Sequence, residues 1–318
     1  MNIRKIIISA WVLLVAGCGG NRKAEQFTAL PFPDVVPPSM LEDPVSLAEH
    51  MALHWWDGLT DPSRTYPCDS LLVSGVARGE VEQKFADWTN VLNMVDISVA
   101  GKAMGHLYER VASCEKKDTS SNVFETFASL VERYLYDPNS PLRNEDHYAL
   151  YASRLADSDL VEDVMKEKYA REVSLAALNR VGTKAADFRF ADKNGRIRRL
   201  YDVDAELTLL FFSNPGCTAC KDIIDVLNHD PDISRLIKDG RMAVLNIYID
   251  EDLQAWRSYM PIYPEHWYNG FDPDMVLRGD TVYSVRAIPS LYLLDSEKNV
   301  IMKDAPEARL FDFLARLQ

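Results

Sequence analysis

Cysteine is scarce in this chain, with five in 318 residues at positions 18, 68, 114, 217 and 220. That is too few to staple together a fold lacking its own core. Basic charge is also in deficit: 35 Lys and Arg stand against 48 Asp and Glu, a formal charge of -13. Such a chain offers nothing to nucleic acid, and that class of partner is excluded. A continuous apolar run of about 20 residues, long enough to cross a bilayer as a permanent helix, is missing too. What remains, 47% hydrophobic residues over this length, supports two compact domains that need no disulfide scaffold.

The N-terminus has the layout of an export leader. Arg4 and Lys5 are followed by an apolar run from Ile6 to Ala16, and the small residues Ala16 and Gly17 lead into Cys18. Residues 1–17 are therefore expected to be a cleaved signal peptide. Val15-Ala16-Gly17-Cys18 resembles the lipobox of bacterial lipoproteins. The resemblance implies that Cys18 is lipidated, becomes the mature N-terminus and ties the protein to a membrane, facing the periplasm. An ordinary secretory leader containing a cysteine is the alternative. Gly19 stands where some bacteria use aspartate for inner-membrane retention, which tilts the expectation toward the outer membrane. Residues 18–40 contain four prolines and no amphipathic period, as expected of an extended tether.

Over 41–180 apolar residues recur at three- and four-residue spacing, as in Phe85, Trp88, Leu92 and Val95 or Phe124, Phe127, Leu130, Val131 and Tyr134. This predicts an all-α domain of five or six helices. Breaks are expected at Asp61-Pro62, from Cys114 through Ser121, and at Asp137-Pro138-Asn139-Ser140-Pro141. His50 and His54 share a helical face, but no HExxH glutamate accompanies them and no third ligand is near in sequence, so amphipathic spacing is the reading. Whether Cys68 and Cys114 pair is left open, because sequence does not give their separation. The stretch from Tyr134 to Glu145 resembles a helical domain of unknown function found ahead of thioredoxin-like domains in bacterial lipoproteins. That resemblance carries no chemistry, and the segment has no clustered nucleophile and base and no phosphate loop, which points to interaction or positioning.

Beyond Gly182 the pattern changes to β-type runs at Phe188–Ala191, Leu207–Ser213, Met242–Ile249 and Ser290–Leu294, with helical stretches between the later ones. The expected domain, 181–318, is α/β with a central mixed sheet flanked by helices. Leu207 to Phe212 is apolar throughout, as a strand buried on both faces should be. It leads through Ser213-Asn214-Pro215-Gly216 to Cys217-Thr218-Ala219-Cys220, with Ile223, Ile224 and Leu227 continuing at helical spacing. Cys217 is thus expected at a helix N-terminus, where free N–H groups and the helix dipole stabilise a thiolate. Cys220, one turn along, can attack a mixed disulfide formed on Cys217. A zinc site would need two further ligands, and no second CxxC or close Cys/His pair supplies them; no cofactor is expected.

Gly182-Thr183-Lys184-Ala185-Ala186-Asp187-Phe188, the CxxC after a buried strand, and Ala287-Ile288-Pro289-Ser290 together resemble thioredoxin-like proteins of the membrane-tethered periplasmic type. The resemblance implies a cis Pro289 beside the cysteine pair and backbone hydrogen bonds from Ile288 to a substrate segment. It also implies protein thiol and disulfide substrates and an upstream electron donor. Gly216 replaces the aromatic residue usual before the first cysteine, and the buried acid of thioredoxin falls near Phe211, which carries no proton. Asp222 and Asp225 are close but are ordinary residues for a helix's first turns. The aromatic stretch Trp256, Tyr259, Tyr263, Trp267, Tyr268 and Phe271 reads as packing of an inserted helix and loop.

The leading expectation is an envelope-facing thiol-disulfide oxidoreductase working as a reductant, by analogy with tethered family members. A lipoprotein scaffold with a non-catalytic thioredoxin-like half is the alternative. A thiol peroxidase is a further one, weakened by Asn214 standing where the peroxidase motif has threonine.

Overall fold

In a computed structural model the protein is described over residues 27–66, 69–279 and 282–317. The expected leader, Cys18 and Cys68 lie outside the described residues, and with Cys68 the question of its pairing. No helix among the described residues is long and apolar enough to cross a membrane.

The N-terminal part contains six α-helices: α1 (Pro44–His54), α2 (Arg78–Leu92), α3 (Ile97–Lys117), α4 (Val123–Val131), α5 (Glu145–Ala156) and α6 (Asp163–Ala176). Local chemistry sets their starts. Asp43, Asp96 and Asn144 accept backbone N–H groups of the first turns of α1, α3 and α5. Trp56, Phe85, Trp88 and Phe127 interlock edge-to-face at the centre of the core. A five-residue π-helix, Glu132–Tyr136, extends α4, and the proline-bearing 137–144 stretch then separates it from α5, as expected.

Three details depart from expectation. The domain is not purely helical, since β1 (Leu72–Val73) and β2 (Val76–Ala77) form a small hairpin around Ser74 and Gly75, both at positive φ. Helix α3 runs past Cys114, so the break begins only at Asp118. The expected tether is anchored at two of its described residues: Leu30 N–H donates to Gly75 O at 2.8 Å, and Phe32 is buried against Trp56.

The C-terminal part holds β3 (Arg189–Asp192), β4 (Ile197–Arg199), β5 (Leu207–Phe212), α7 (Thr218–His229), α8 (Pro231–Lys238), β6 (Met242–Tyr248), α9 (Leu253–Tyr259), β7 (Tyr268–Phe271), β8 (Ser290–Leu294), β9 (Val300–Met302) and α10 (Glu307–Ala315). The strands form one mixed sheet in the order β4-β3-β7-β6-β5-β8-β9. β5 is parallel to β6 and antiparallel to β8. Leu209 and Phe211 face α7, α8 and α10 on one side, while Leu210 and Phe212 face Phe188, Tyr283 and Tyr292 on the other. Burial on both faces is why β5 is apolar at every position but Thr208, which is itself buried.

Candidate active site

The cysteine pair is presented by a turn that its residues specify. After β5, Cys217 N–H donates to Asn214 O at 3.3 Å, closing a turn with Pro215 second and Gly216 third at φ +77°. Proline followed by a residue at positive φ is what a type II turn requires. This gives a physical reason for glycine at this position: a side chain here would be strained in the left-handed region.

Cys217 then caps α7, its Sγ accepting the Cys220 N–H at 3.1 Å. The two cysteines are joined as a disulfide with Cα atoms 5.2 Å apart. Their surroundings differ: Cys217 is partly buried and keeps some surface in solvent, whereas Cys220 is 2% exposed within the core beneath α7. The first is open to an attacking thiol and the second is shielded. In the reduced state the helix N-terminus favours the thiolate of Cys217.

Pro289 stands at the same end of the sheet. The Ile288-Pro289 bond is cis, as expected, and Ser290, the next residue, pairs with Phe212 at the end of β5. Ile288 packs into the same apolar cluster as Cys217 and Cys220. Ala287 and Ile288 are only half-buried, and among the described residues their backbones make no hydrogen bond to other backbone groups. They form a bent, partly open segment leading into β8 and share an apolar cluster with the cysteine pair.

Beneath this turn lies a polar chain that sequence reading missed. Ser213 Oγ donates to Asn246 Oδ1 at 2.5 Å, Asn246 Nδ2 to Asn269 Oδ1 at 3.0 Å, and Asn269 Nδ2 to Pro264 O at 2.9 Å. Tyr263 OH reaches Ser213 Oγ at 3.3 Å, and burial holds its phenol above the usual range. Asn214 is tied to Asp250 at 2.6 Å. Phe211 is fully buried and takes no part in proton transfer. Asp225 pairs with Lys221 on the helix surface at 2.5 Å. Trp256, Tyr263 and Trp267 are buried packing residues.

A second polar cluster, across the border between the domains, was also invisible in the sequence. Glu145, at the start of α5, receives Arg286 Nε at 2.5 Å and has Lys303 Nζ at 2.7 Å from its other oxygen, an ion pair without hydrogen-bond geometry. Arg286 also donates to Tyr136 O and lies 3.2 Å from Asp304. Arg143 donates to Asp304 O and Ala305 O at 2.9 and 3.0 Å. Asp304 Oδ1 in turn accepts from Ser290 Oγ at 2.8 Å.

On the far side of the helical domain, the structure supplies the partners that His54 lacks in sequence. Asp57 accepts from His54 Nδ1 at 2.8 Å and from His106 Nε2 at 2.7 Å, and Arg110 Nε lies 3.3 Å from the same carboxylate. Burial pushes Asp57 up, but the two imidazole hydrogen bonds and Arg110 outweigh it and hold the carboxyl below its usual range. Tetrahedral zinc with bonds of about 2.0–2.1 Å would space its ligands about 3.3 Å apart. The observed spacings are those of hydrogen bonds, and Arg110 already supplies the cation, so the cluster is a clamp between α1 and α3.

Two cavities, of about 990 and 670 Å³, lie along α4 to α6 and beside β3 and β7, and neither is lined by Cys217 or Cys220.

Comparison with known proteins agrees with this layout. A family model described as "domain of unknown function (DUF5106)" matches residues 19–179. A thioredoxin-like protein from Bacteroides caccae is similar over 92% of this chain and 100% of its own, with 34% identity and a TM-score of 0.76. The C-terminal domain of an uncharacterized protein from Bacteroides fragilis is 41% identical over 43% of this chain and 98% of its own, with a TM-score of 0.42. A domain of a possible thiol-disulfide isomerase from Cytophaga hutchinsonii is 26% identical over 44% of this chain and 94% of its own, at a TM-score of 0.38. Among curated proteins nothing matches.

Proposed function

The chain belongs to the DUF5106 family and is thioredoxin-like in its C-terminal half, and from that premise we propose that it is a thiol-disulfide oxidoreductase acting on protein disulfides. The observation that carries the reading is the asymmetry of the pair: Cys217 is open at the helix N-cap while Cys220 is shielded behind it.

As a reductant, the Cys217 thiolate attacks one sulfur of a substrate disulfide, forming a Cys217–substrate mixed disulfide and expelling the other substrate sulfur as a thiolate. The Cys220 thiolate then attacks Cys217 Sγ, closing the Cys217–Cys220 bond and releasing the second substrate sulfur. The substrate gains two electrons and two protons, and the protein returns to the disulfide form. A dithiol electron donor must then reduce it again. A substrate segment docks at Ala287 and Ile288, whose backbone groups make no backbone hydrogen bond among the described residues and are free to take one from a partner. Export and a lipid on Cys18 belong to the same proposal, keeping the domain at the membrane of an oxidising compartment, where disulfides form.

The test is a redox titration of the protein in graded reduced and oxidised dithiothreitol, with trapped thiols located by mass spectrometry, alongside insulin reduction. The expected result is one reversible two-electron couple at Cys217–Cys220 and insulin reduction that vanishes in Cys217→Ser. A pair that never opens, or opens without passing electrons, turns the reading to a binding scaffold.

A further inference from the structure

The segment from Arg286 to Ser290 is held at both ends by one carboxylate. Arg286 Nη2 lies 3.2 Å from Asp304 Oδ2, and Ser290 Oγ donates to Asp304 Oδ1 at 2.8 Å. The segment at Ala287 and Ile288 is the backbone strung between them. The helical domain holds both parts of this frame: Glu145 and the Tyr136 carbonyl take Arg286, and Arg143 takes the backbone carbonyls of Asp304 and Ala305.

We propose that Glu145 is a positioning residue of the redox site, through which the helical domain fixes the Arg286–Ser290 segment for docking of a protein disulfide. This rests on the disulfide-exchange reading above.

Adhesion between the domains is a poor explanation for such a cluster. The side chains of Glu145 and Lys303 are 3% and 2% exposed, and burying charges costs more than an apolar contact of the same area. What the charges add is direction, since they converge on residues flanking Ile288-Pro289. Every buried carboxylate oxygen here has a cation or hydroxyl in reach. Holding a segment in its binding geometry beforehand removes an ordering cost from each encounter.

The experiment compares two oxidants of the reduced full chain. Insulin needs the docking segment, whereas glutathione disulfide reaches Cys217 with few other contacts. Glu145→Gln keeps the shape of the side chain and removes the charge. It is expected to raise KM for insulin about tenfold to a hundredfold, the scale of a displaced binding geometry. The rate with glutathione disulfide and the redox equilibrium constant of the pair against glutathione should stay within about twofold. Arg286→Lys, which keeps the charge but loses the forked guanidinium, should move the same parameter the same way, and it serves if Glu145→Gln does not fold. A wild-type chain that reduces neither oxidant sinks the exchange reading itself. A wild-type chain that reduces both, with the insulin KM unmoved in the folded variant, or with both oxidants slowed equally, overturns the positioning role alone.

Discussion

Ser290 lies opposite Phe212 in the ladder between β5 and β8, so the residue after Pro289 faces the last residue of the strand that leads to Cys217. The Ile288-Pro289 segment and the turn that carries Cys217 are thereby set by one sheet register. A slip of one residue would turn every side chain of β8 to the other face.

Because Cys220 is shielded and Cys217 is open, removing the second thiol should stall exchange at its first product. Cys220→Ser is expected to accumulate a covalent adduct with insulin through Cys217, visible as a mass shift that dithiothreitol reverses. Cys217→Ser should form none. An adduct mapping to Cys114, which is half-buried on α3 and whose thiol burial pushes up, would contradict the assignment.

Asn246 is the middle link of the chain from Ser213 to Asn269. Asn246→Leu leaves Ser213 Oγ only its longer contact to Tyr263 OH and strands the Asn269 amide oxygen in the core, the latter costing about 1–3 kcal/mol. The expected loss is about 1–3 kcal/mol by denaturant unfolding, the cost of that one stranded group. A neutral substitution would show that the chain contributes nothing to stability.

His147 is buried on α5 with its Nδ1 unpartnered, and burial, with the charge of Arg309 adding to it, lowers its pKa from 6.5 to about 4. The fold therefore holds the neutral imidazole while the unfolded chain takes up a proton first. Stability from this group is complete above pH 6.5 and is lost as pH falls from 6.5 toward 4, amounting to about 3 kcal/mol. His147→Leu should flatten that part of the stability profile, and an unchanged profile would refute the assignment.

Phe32 belongs to the helical core, although it comes from a segment expected to be tether. Phe32→Ala should release residues 27–40, since truncating a buried Phe costs about 3–5 kcal/mol. Limited proteolysis should then cut within that stretch several-fold faster while the rest of the chain survives. Equal cutting in both proteins would argue that the segment is not docked in solution.

Much of the C-terminal fold was legible because its central strands are buried on both faces and declare themselves as apolar runs. The CxxC and the Ile-Pro before β8 were legible as local signatures. β4 was not, since Ile197, Arg198 and Arg199 form a solvent-facing edge. Nor was β7, where Gly270 approaches so near that an added Cβ would meet the Phe190 ring at 2.7 Å. The charged clusters were hidden for a different reason. Arg286 and Glu145 are 141 residues apart, and His106 and Asp57 are 49; read singly, each looks like a solvated surface residue. The tether was misread at its end because a lone phenylalanine among prolines has no periodicity to reveal that it is buried.

The border between the two halves is written in charge, and this limits how the halves can be exchanged. A thioredoxin-like domain lacking the counterparts of Arg286 and Lys303, grafted behind this helical domain, would inherit Glu145 as a buried anion without a cation. Breaking a buried pair in this way costs about 3–5 kcal/mol, a large part of what holds a domain of ordinary stability folded. The halves are therefore fitted parts rather than interchangeable modules, and a change of charge on one side of the border demands a matching change on the other.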